Sequence, residues 1–454
     1  MNASTERSLR PPEDGLRIVK RLNEAGFRAY FVGGCVRDGL LGLEAKDWDI
    51  CTDALPEEMA GVFGGWHVVE TGLKHGTLTV VLRHVPYEVT TFRIDGAYTD
   101  HRHPDSVAFT AELREDLRRR DFTVNAMAWH PEEGLVDAFG GVEDLKSGLI
   151  RCVGDPRERF GEDALRILRG LRFAACYGFS VEAETAAAMR AMADDVRMVA
   201  GERIRAETEK LLCGACAGNI LREYADVITA VFPTLRPMVG FDQHSPWHRF
   251  DVWEHTARAV AQIEPLPELR WAMLLHDSGK PAVFTRGADG VGHAFGHQKR
   301  SAEIAADLFD RMHFDVRTRE RALLLITWHD CEMRPDRRLL LRQLNRFGEE
   351  ALRRLIAVHR ADRAAKGTQT PEEAAAWAAE ITDALDRLLA ERPCYTLDAL
   401  AADGSDLIAA GMKPGRELGA ALQAMLDAVM DGTVPNERES LVHFALDGLH
   451  DQHT

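Results

Sequence analysis

The sequence has no run of about 18 apolar residues, so it offers no segment able to cross a bilayer as a helix. Its opening stretch, MNASTERSLRPPEDG, has no apolar core, and no secretory leader is expected there. Cysteine is sparse: eight residues in 454, scattered rather than laid out as a frame. That argues against a disulfide scaffold and for a reducing, cytoplasmic setting. Cys213 and Cys216 make one CxxC, yet no second pair stands at zinc-site spacing. Positive charge is also short, with 56 Lys and Arg against 72 Asp and Glu, a net charge of −16. Indiscriminate binding to polyanions is thereby disfavoured, although a local basic groove is still allowed. What is present, 45% apolar and 28% charged residues, is the make-up of a globular protein, and the length predicts about three domains.

The most informative stretch is YFVGGCVRDGLLGLEAKDWDIC, residues 30–51. An apolar run breaks at Gly33-Gly34 and passes into a short helical pattern carrying Arg37 and Asp38. A second run, Trp48–Cys51, is led in by Asp47 and contains Asp49. Alternation along a strand puts Asp47 and Asp49 on one face, about 7 Å apart, with Trp48 and Ile50 toward the core. Two such carboxylates can hold Mg²⁺ together with substrate phosphates. The Gly-Gly turn, exposing backbone N–H groups at a helix start, suits an anion. A phosphate cradle beside a carboxylate pair implies phosphoryl or nucleotidyl transfer. Glu88, on a neighbouring predicted strand, is positioned to add a third acid.

GGCVRDGLLG followed by DWDI resembles the signature of polymerase-beta-like nucleotidyltransferases. More narrowly it is similar to the class that holds bacterial CCA-adding enzymes and poly(A) polymerases. That resemblance implies Asp47, Asp49 and Glu88 as the catalytic acids, and RRDFTVNAMAW (119–129) as the second signature. It assigns Arg119, Asp121 and Asn125, with Gly33, Gly34 and Arg37, to the nucleotide. Asp121 and Asn125 are four apart, so a helix would put them on one face. EDALR (162–166) resembles the motif in which an Asp–Arg pair, here Asp163 and Arg166, serves as a protein template for incoming C or A. On residues alone, an i,i+3 surface ion pair is the plainer reading. The helix GERIRAETEKLL (201–212) is expected to buttress that motif and is given no chemistry. Residues 95–109, polar and turn-rich, resemble the family's flexible loop, linked there to the switch from C to A addition.

A different vocabulary begins after residue 240. His255, the His276-Asp277 pair and a late acid on successive helices look like the ligand set of HD phosphohydrolases. His255, His276, Asp277 and Asp330 are the expected ligands; His297 is a further candidate, and His329 competes with Asp330. Imidazole with carboxylate favours Mn²⁺, Ni²⁺, Fe²⁺ or Zn²⁺ over Mg²⁺. Metal-bound water there would hydrolyse a phosphoester, and some members of the family act on 2′,3′-cyclic phosphates. In the tail, Lys413 and Arg416 are available for RNA phosphates.

The expected fold class is α+β. A polymerase-beta-like nucleotidyltransferase head with a mixed sheet (12–150) precedes an all-α neck (151–240), an HD domain (241–365) and a helical tail (366–454). The implied activity is Mg²⁺-dependent addition of CCA to the 3′ end of tRNA from CTP and ATP, with no membrane partner. An A-adding or poly(A) enzyme of the same family is the alternative. From another class come HD-type phosphohydrolases and nucleotide-signalling enzymes, whose guanosine-tetraphosphate synthases place the HD part first in the chain.

Overall fold

Four consecutive apolar residues, Ala29–Val32, are all buried and form β1, an interior strand of the head sheet. The computed structural model describes residues 9–70, 72–73, 76–96 and 107–450. Around β1 run β2 (Ile50–Thr52), β3 (His67–Val69), β4 (Thr77–Leu82), β5 (Val85–Thr91), β8 (Met127–His130) and β9 (Gly134–Asp137). Their order is β3-β4-β5-β2-β1-β8-β9. β2 pairs with β5 in parallel, and the other neighbours are antiparallel, so the sheet is mixed as expected. β4 and β5 are joined through Arg83 and His84, both with positive φ (49° and 68°), the backbone that a two-residue hairpin turn demands. A short hairpin, β6 (Arg93–Asp95) with β7 (Val107–Phe109), frames the expected flexible loop. The two ends of that polar stretch are therefore strand, and its middle, 97–106, lies outside the described residues.

Helix α1 (Glu13–Glu24) covers the sheet with Ile18, Val19 and Leu22, each fully buried. Leu16 and Phe27 are only half-buried. Phe31, also fully buried, meets Trp48 edge-on at 5.3 Å. Burial of one such ring contributes about 1.5–3 kcal/mol. α2 (Gly34–Leu40) follows the glycine turn, and α3 (Leu113–Arg118) precedes a 3₁₀ turn, Thr123–Asn125.

Beyond the head the chain is helical. α4 (Pro156–Glu162), α5 (Leu165–Tyr177) and α6 (Gly201–Leu212) matter for the site. Gly170 lets α5 approach its neighbours: a Cβ there would lie 2.3 Å from Met189 and 2.9 Å from Phe122. By its contacts the chain forms two units, up to Arg236 with Phe309–Phe314, and Pro237–Leu308 with Asp315 onward. The second unit contains α7 (Val252–Gln262), α8 (Pro267–Leu275), most of α9 (His297–Arg311), α10 (Val316–Trp328) and the long α11 (Arg337–Ala365). Among the described residues no helix is long and apolar enough to cross a membrane.

Candidate functional site

In the first unit, β2 begins at Ile50, two residues after the predicted start at Trp48, so Asp47–Asp49 form the lead-in to the strand. The lead-in is still tied to the sheet, since the Val32 N–H donates to the Asp49 carbonyl at 3.0 Å. Parallel pairing of Ile50 with Val89 sets Asp49 beside Glu88 one residue earlier on each strand. The Asp49 carboxyl is half-buried and pushed above its usual range, first by desolvation, then by Glu88 and Asp47, with Arg120 pulling the other way. An acid so placed is a poor neighbour for other acids and a good one for a cation. The donor set is oxygen only, which fits a hard divalent ion such as Mg²⁺.

Gly33 adopts φ +80°, and a Cβ would fall 2.8 Å from an Arg120 guanidinium nitrogen. Its N–H is not free for an anion, as the turn had implied: it donates to the Met127 carbonyl at 3.1 Å. Positive charge is instead supplied by side chains. A cavity of about 460 Å³ is lined by Gly33, Gly34, Asp49, Asn125 and seven arginines: Arg37, Arg119, Arg120, Arg166, Arg169, Arg172 and Arg203. Arg37 donates to Asn125 Oδ1 at 2.5 Å and lies over the Phe173 and Tyr177 rings, 4.9 Å from each. Arg119 is held by Asp116, a fully buried carboxylate that also contacts Arg120 at 3.4 Å.

Asp121 and Asn125 do meet, but across the 3₁₀ turn rather than along an α-helix. Asp121 Oδ1 accepts from the Phe122 N–H and the Asn125 amide, and Oδ2 accepts twice from Arg169, at 2.9 and 2.7 Å. A carboxylate has about four acceptor sites. Asp121 lines the cavity and also sets Arg169 and Asn125 in its wall. Burial opposes its charge, yet Arg169 and the Asn125 bond more than offset this and hold its pKa well below the usual range. The stability this provides is complete above the unfolded value of about 3.9 and is lost as pH falls below it. Asp121→Asn should destabilise the first unit by about 3 kcal/mol, the low end for breaking a buried pair because Arg169 is partly exposed. Urea melts at neutral pH and near pH 3 check this: the gap between wild type and variant should shrink in acid.

The i,i+3 ion pair between Asp163 and Arg166 is not formed, although both residues line the cavity. Asp163 lies between α4 and α5 in extended backbone (φ −147°, ψ 101°), so the two residues do not share a helix face. Asp163 accepts from Arg203 of α6 at 2.8 Å, and Arg166 bonds Glu162 at 2.5 Å and the Arg119 carbonyl at 3.1 Å. The helix 201–212 is thus part of the site: Arg203 sets Asp163, and Glu207 binds Arg172 at 2.6 Å.

In the second unit, His255, His276 and Asp277 bring ligand atoms within 4.8 Å of one another, and so do Asp277, His297 and His329. Asp277 joins the groups. Its Oδ2 is 3.5 Å from His255 Nε2 and 3.2 Å from His276 Nε2, and its Oδ1 is 3.3 Å from His297 Nε2 and 3.7 Å from His329 Nε2. Asp330 is a correction. It is exposed and bonded to Gln298, and the late acid is Asp362 of α11, 3.1 Å from His255 Nε2. Three imidazoles share one device: Nδ1 of His276, His297 and His329 sits 2.7–2.8 Å from the carbonyl three residues earlier. Nδ1 must donate there, so in the neutral imidazole Nε2 is the lone pair aimed at the cluster. The pairs His255–His276 and His297–His329 then face each other through Nε2 at 3.3 and 3.1 Å. Opposed lone pairs flanking a buried carboxylate fit transition-metal ions. Lys280 and Lys366 reach Asp277 and Asp362, each at 2.7 Å.

Comparison with known proteins agrees with this division of chemistry. Residues 29–151 match the poly A polymerase head domain, 178–236 the RNA and SrmB binding region of polymerase A, and 248–367 the HD domain. Residues 326–445 match domain 2 of tRNA nucleotidyltransferases. The CCA-adding enzyme of Levilactobacillus brevis is 33% identical over 431 residues, 94% of this chain and 95% of that enzyme. The Leuconostoc mesenteroides enzyme is 49% identical over 208 residues, but there the match spans 46% of this chain and about half, 51%, of the relative. The crystal structure of the Bacillus stearothermophilus CCA-adding enzyme in complex with CTP superposes with a TM-score of 0.73, at 30% identity, over 98% of this chain and 99% of that one. With a relative one third identical along nearly the whole of both chains, this protein belongs to the CCA-adding enzyme family.

Proposed function

We propose that the first unit adds C, C and A in turn to the 3′ end of tRNA from CTP and ATP, without a nucleic-acid template. The supporting observation is one cavity that joins seven arginines to Asp49, a cationic bed for a triphosphate beside an acid in need of a cation. The terminal 3′-oxygen bonds to the α-phosphorus, the α–β bridging bond breaks, and pyrophosphate leaves as the hydroxyl proton is lost. Asp47 and Asp49, with Glu88 adjacent, would hold Mg²⁺, which lowers the pKa of that hydroxyl and neutralises developing charge. Arg119, Arg120 and Arg169 are placed to bind phosphate oxygens, and Phe173, under Arg37 and Arg172, walls the cavity. Base choice falls to Asp163 and Arg166, each held in place by another residue rather than by each other.

The test uses tRNA transcripts ending at the discriminator base, after two C residues, and complete, each given every labelled nucleotide. Only C should enter the first, only A the second, and nothing the third. Arg203→Ala frees Asp163 and should raise UTP or GTP misincorporation about tenfold, by analogy with the 1–3 kcal/mol of a bidentate base contact. Competition assays would show unchanged selectivity if Arg203 merely braced the helix.

For the second unit we infer a metal-dependent phosphoesterase with room for two ions that share Asp277. One would take His255, His276 and Asp362, the other His297 and His329. The tautomers fixed by three backbone carbonyls support this reading. Lys280 and Lys366 line the same cavity and supply charge for a phosphate. Metal analysis of protein loaded with Mn²⁺ or Ni²⁺ should find about two ions per chain, and about one in His297→Ala.

A further inference from the structure

The cavity over the histidine cluster, about 260 Å³, has a second wall that the metal ligands do not require. Phe241, Phe284, His293 and Phe295 line it, in the same cavity as Lys280 and Lys366. Phe241 and Phe284 pack edge-to-face at 5.2 Å. Gly292 fixes that packing, because a Cβ there would lie 2.6 Å from the Phe284 ring.

Phe295 behaves differently. It is 80% exposed, leaving a large apolar ring in water. Its ring lies 7° from parallel with His293, centroids 5.2 Å apart, so one face is backed and the other is open. His293 is itself anchored in a two-stranded ladder opposite Thr285. Phe295 stands two residues before His297, whose Nε2 belongs to the cluster. Ring and cluster therefore line one cavity, so a single ligand could meet both. An exposed aromatic ring with one backed face is what stacking on a nucleobase needs, and such stacking tolerates any base.

We propose that Phe295, backed by His293, is a base-stacking platform, so that the second unit takes nucleoside phosphoesters rather than small aliphatic phosphates. This rests on the phosphoesterase reading above. In the reaction a water oxygen bonds to phosphorus, the ester P–O bond breaks, and the water proton ends on the departing oxygen. The platform contributes binding and orientation and takes no part in that exchange. Hydrogen-bonding groups on the base are not called for, so adenine and uracil esters should differ only as their stacking strengths differ.

The test uses the full chain loaded with Mn²⁺ and two substrates with the same reactive group: adenosine 2′,3′-cyclic phosphate and glycerol 1,2-cyclic phosphate, which has no base. Phe295→Ala should raise KM for the adenosine ester about tenfold, a magnitude within the range for one stacked base. Its kcat, and both constants for the glycerol ester, should stay within about twofold. Phe295→Trp should restore the low KM. Because Phe295 is exposed, the alanine variant is expected to fold normally. Equal losses on both substrates, or no change on either, would overturn the platform.

If the wild type cleaves neither ester, the phosphoesterase reading fails on its own, and binding still decides the platform. Calorimetric titration with adenosine 2′-monophosphate and with ribose 5-phosphate would then be compared between wild type and Phe295→Ala. Nucleotide bound in the first unit contributes equally to both proteins and cancels. A several-fold loss confined to the adenosine ligand supports the platform, and its absence removes it.

Discussion

Asp49→Ala is expected to reduce addition of both C and A by at least about a thousandfold, while tRNA binding stays within about twofold. The carboxylate is half-buried beside Glu88 and Asp47, which with desolvation raise its pKa and favour a cation beside it. Removing it takes away the residue that both lines the triphosphate cavity and belongs to the acidic group. A loss of three decades corresponds to about 4 kcal/mol of transition-state stabilisation, reasonable where metal and nucleophile are both misplaced. Because one acid group serves every nucleotide, the two activities should fall together. Asp49→Asn keeps the shape and should be nearly as inactive. Single-turnover assays with gel-shift controls decide the matter: near-normal turnover in either variant would remove Asp49 from catalysis, and loss of tRNA binding would make its role structural.

The second large effect concerns Asp277. Asp277→Asn should abolish transition-metal binding and phosphoester hydrolysis, yet leave CCA addition in Mg²⁺ within about twofold. Asp277 lies within 3.7 Å of all four histidine Nε2 atoms, so both subsites depend on it. Its charge is strongly favoured: burial opposes it, but His276 and Lys280 pull its pKa well below the usual range. Neutralising it leaves Lys280 close to an uncharged amide in a nearly buried position, so a thermal melt should accompany the assays. His276→Ala is the companion variant, because it removes one ligand and keeps the shared acid. Measuring metal content and both activities on one preparation separates the possibilities. Joint loss of addition and hydrolysis in a folded protein would mean that the two chemistries are coupled.

The head was the most legible part of the sequence. Its mixed sheet, glycine turn and acidic strand depend on short-range patterns, alternation and a backbone break, that a chain carries locally. The histidine site was legible in outline for a similar reason: the His276-Asp277 pair ends an apolar helix. What failed was pairing set by tertiary packing. Asp163 was read as a neighbour of Arg166 because they are three residues apart, whereas the chain leaves α4 at Asp163 and restarts in α5, and α6 brings Arg203 to the acid. Asp330 was preferred because His329-Asp330 mimics the first pair. The better signal was an acid on an apolar stripe: Asp362 falls four residues after Val358 and seven after Leu355, both fully buried. Arg120, Arg169 and Arg172 carry no local signal of a shared role, because only tertiary packing brings them to one cavity.

His276 and His329 each cap the C-terminal end of a helix, one residue beyond it, and the carbonyls that orient them belong to that helix's final turn. Those carbonyls have no partner inside the helix. Their vacancy is put to use as a tautomer lock, which makes proton placement a property of where a helix stops. Ligand readiness is then inherited from chain termination rather than from an outer ring of acids. A single-residue insertion in the last turn of α8 or α10 would therefore silence the centre with every ligand still present in the sequence.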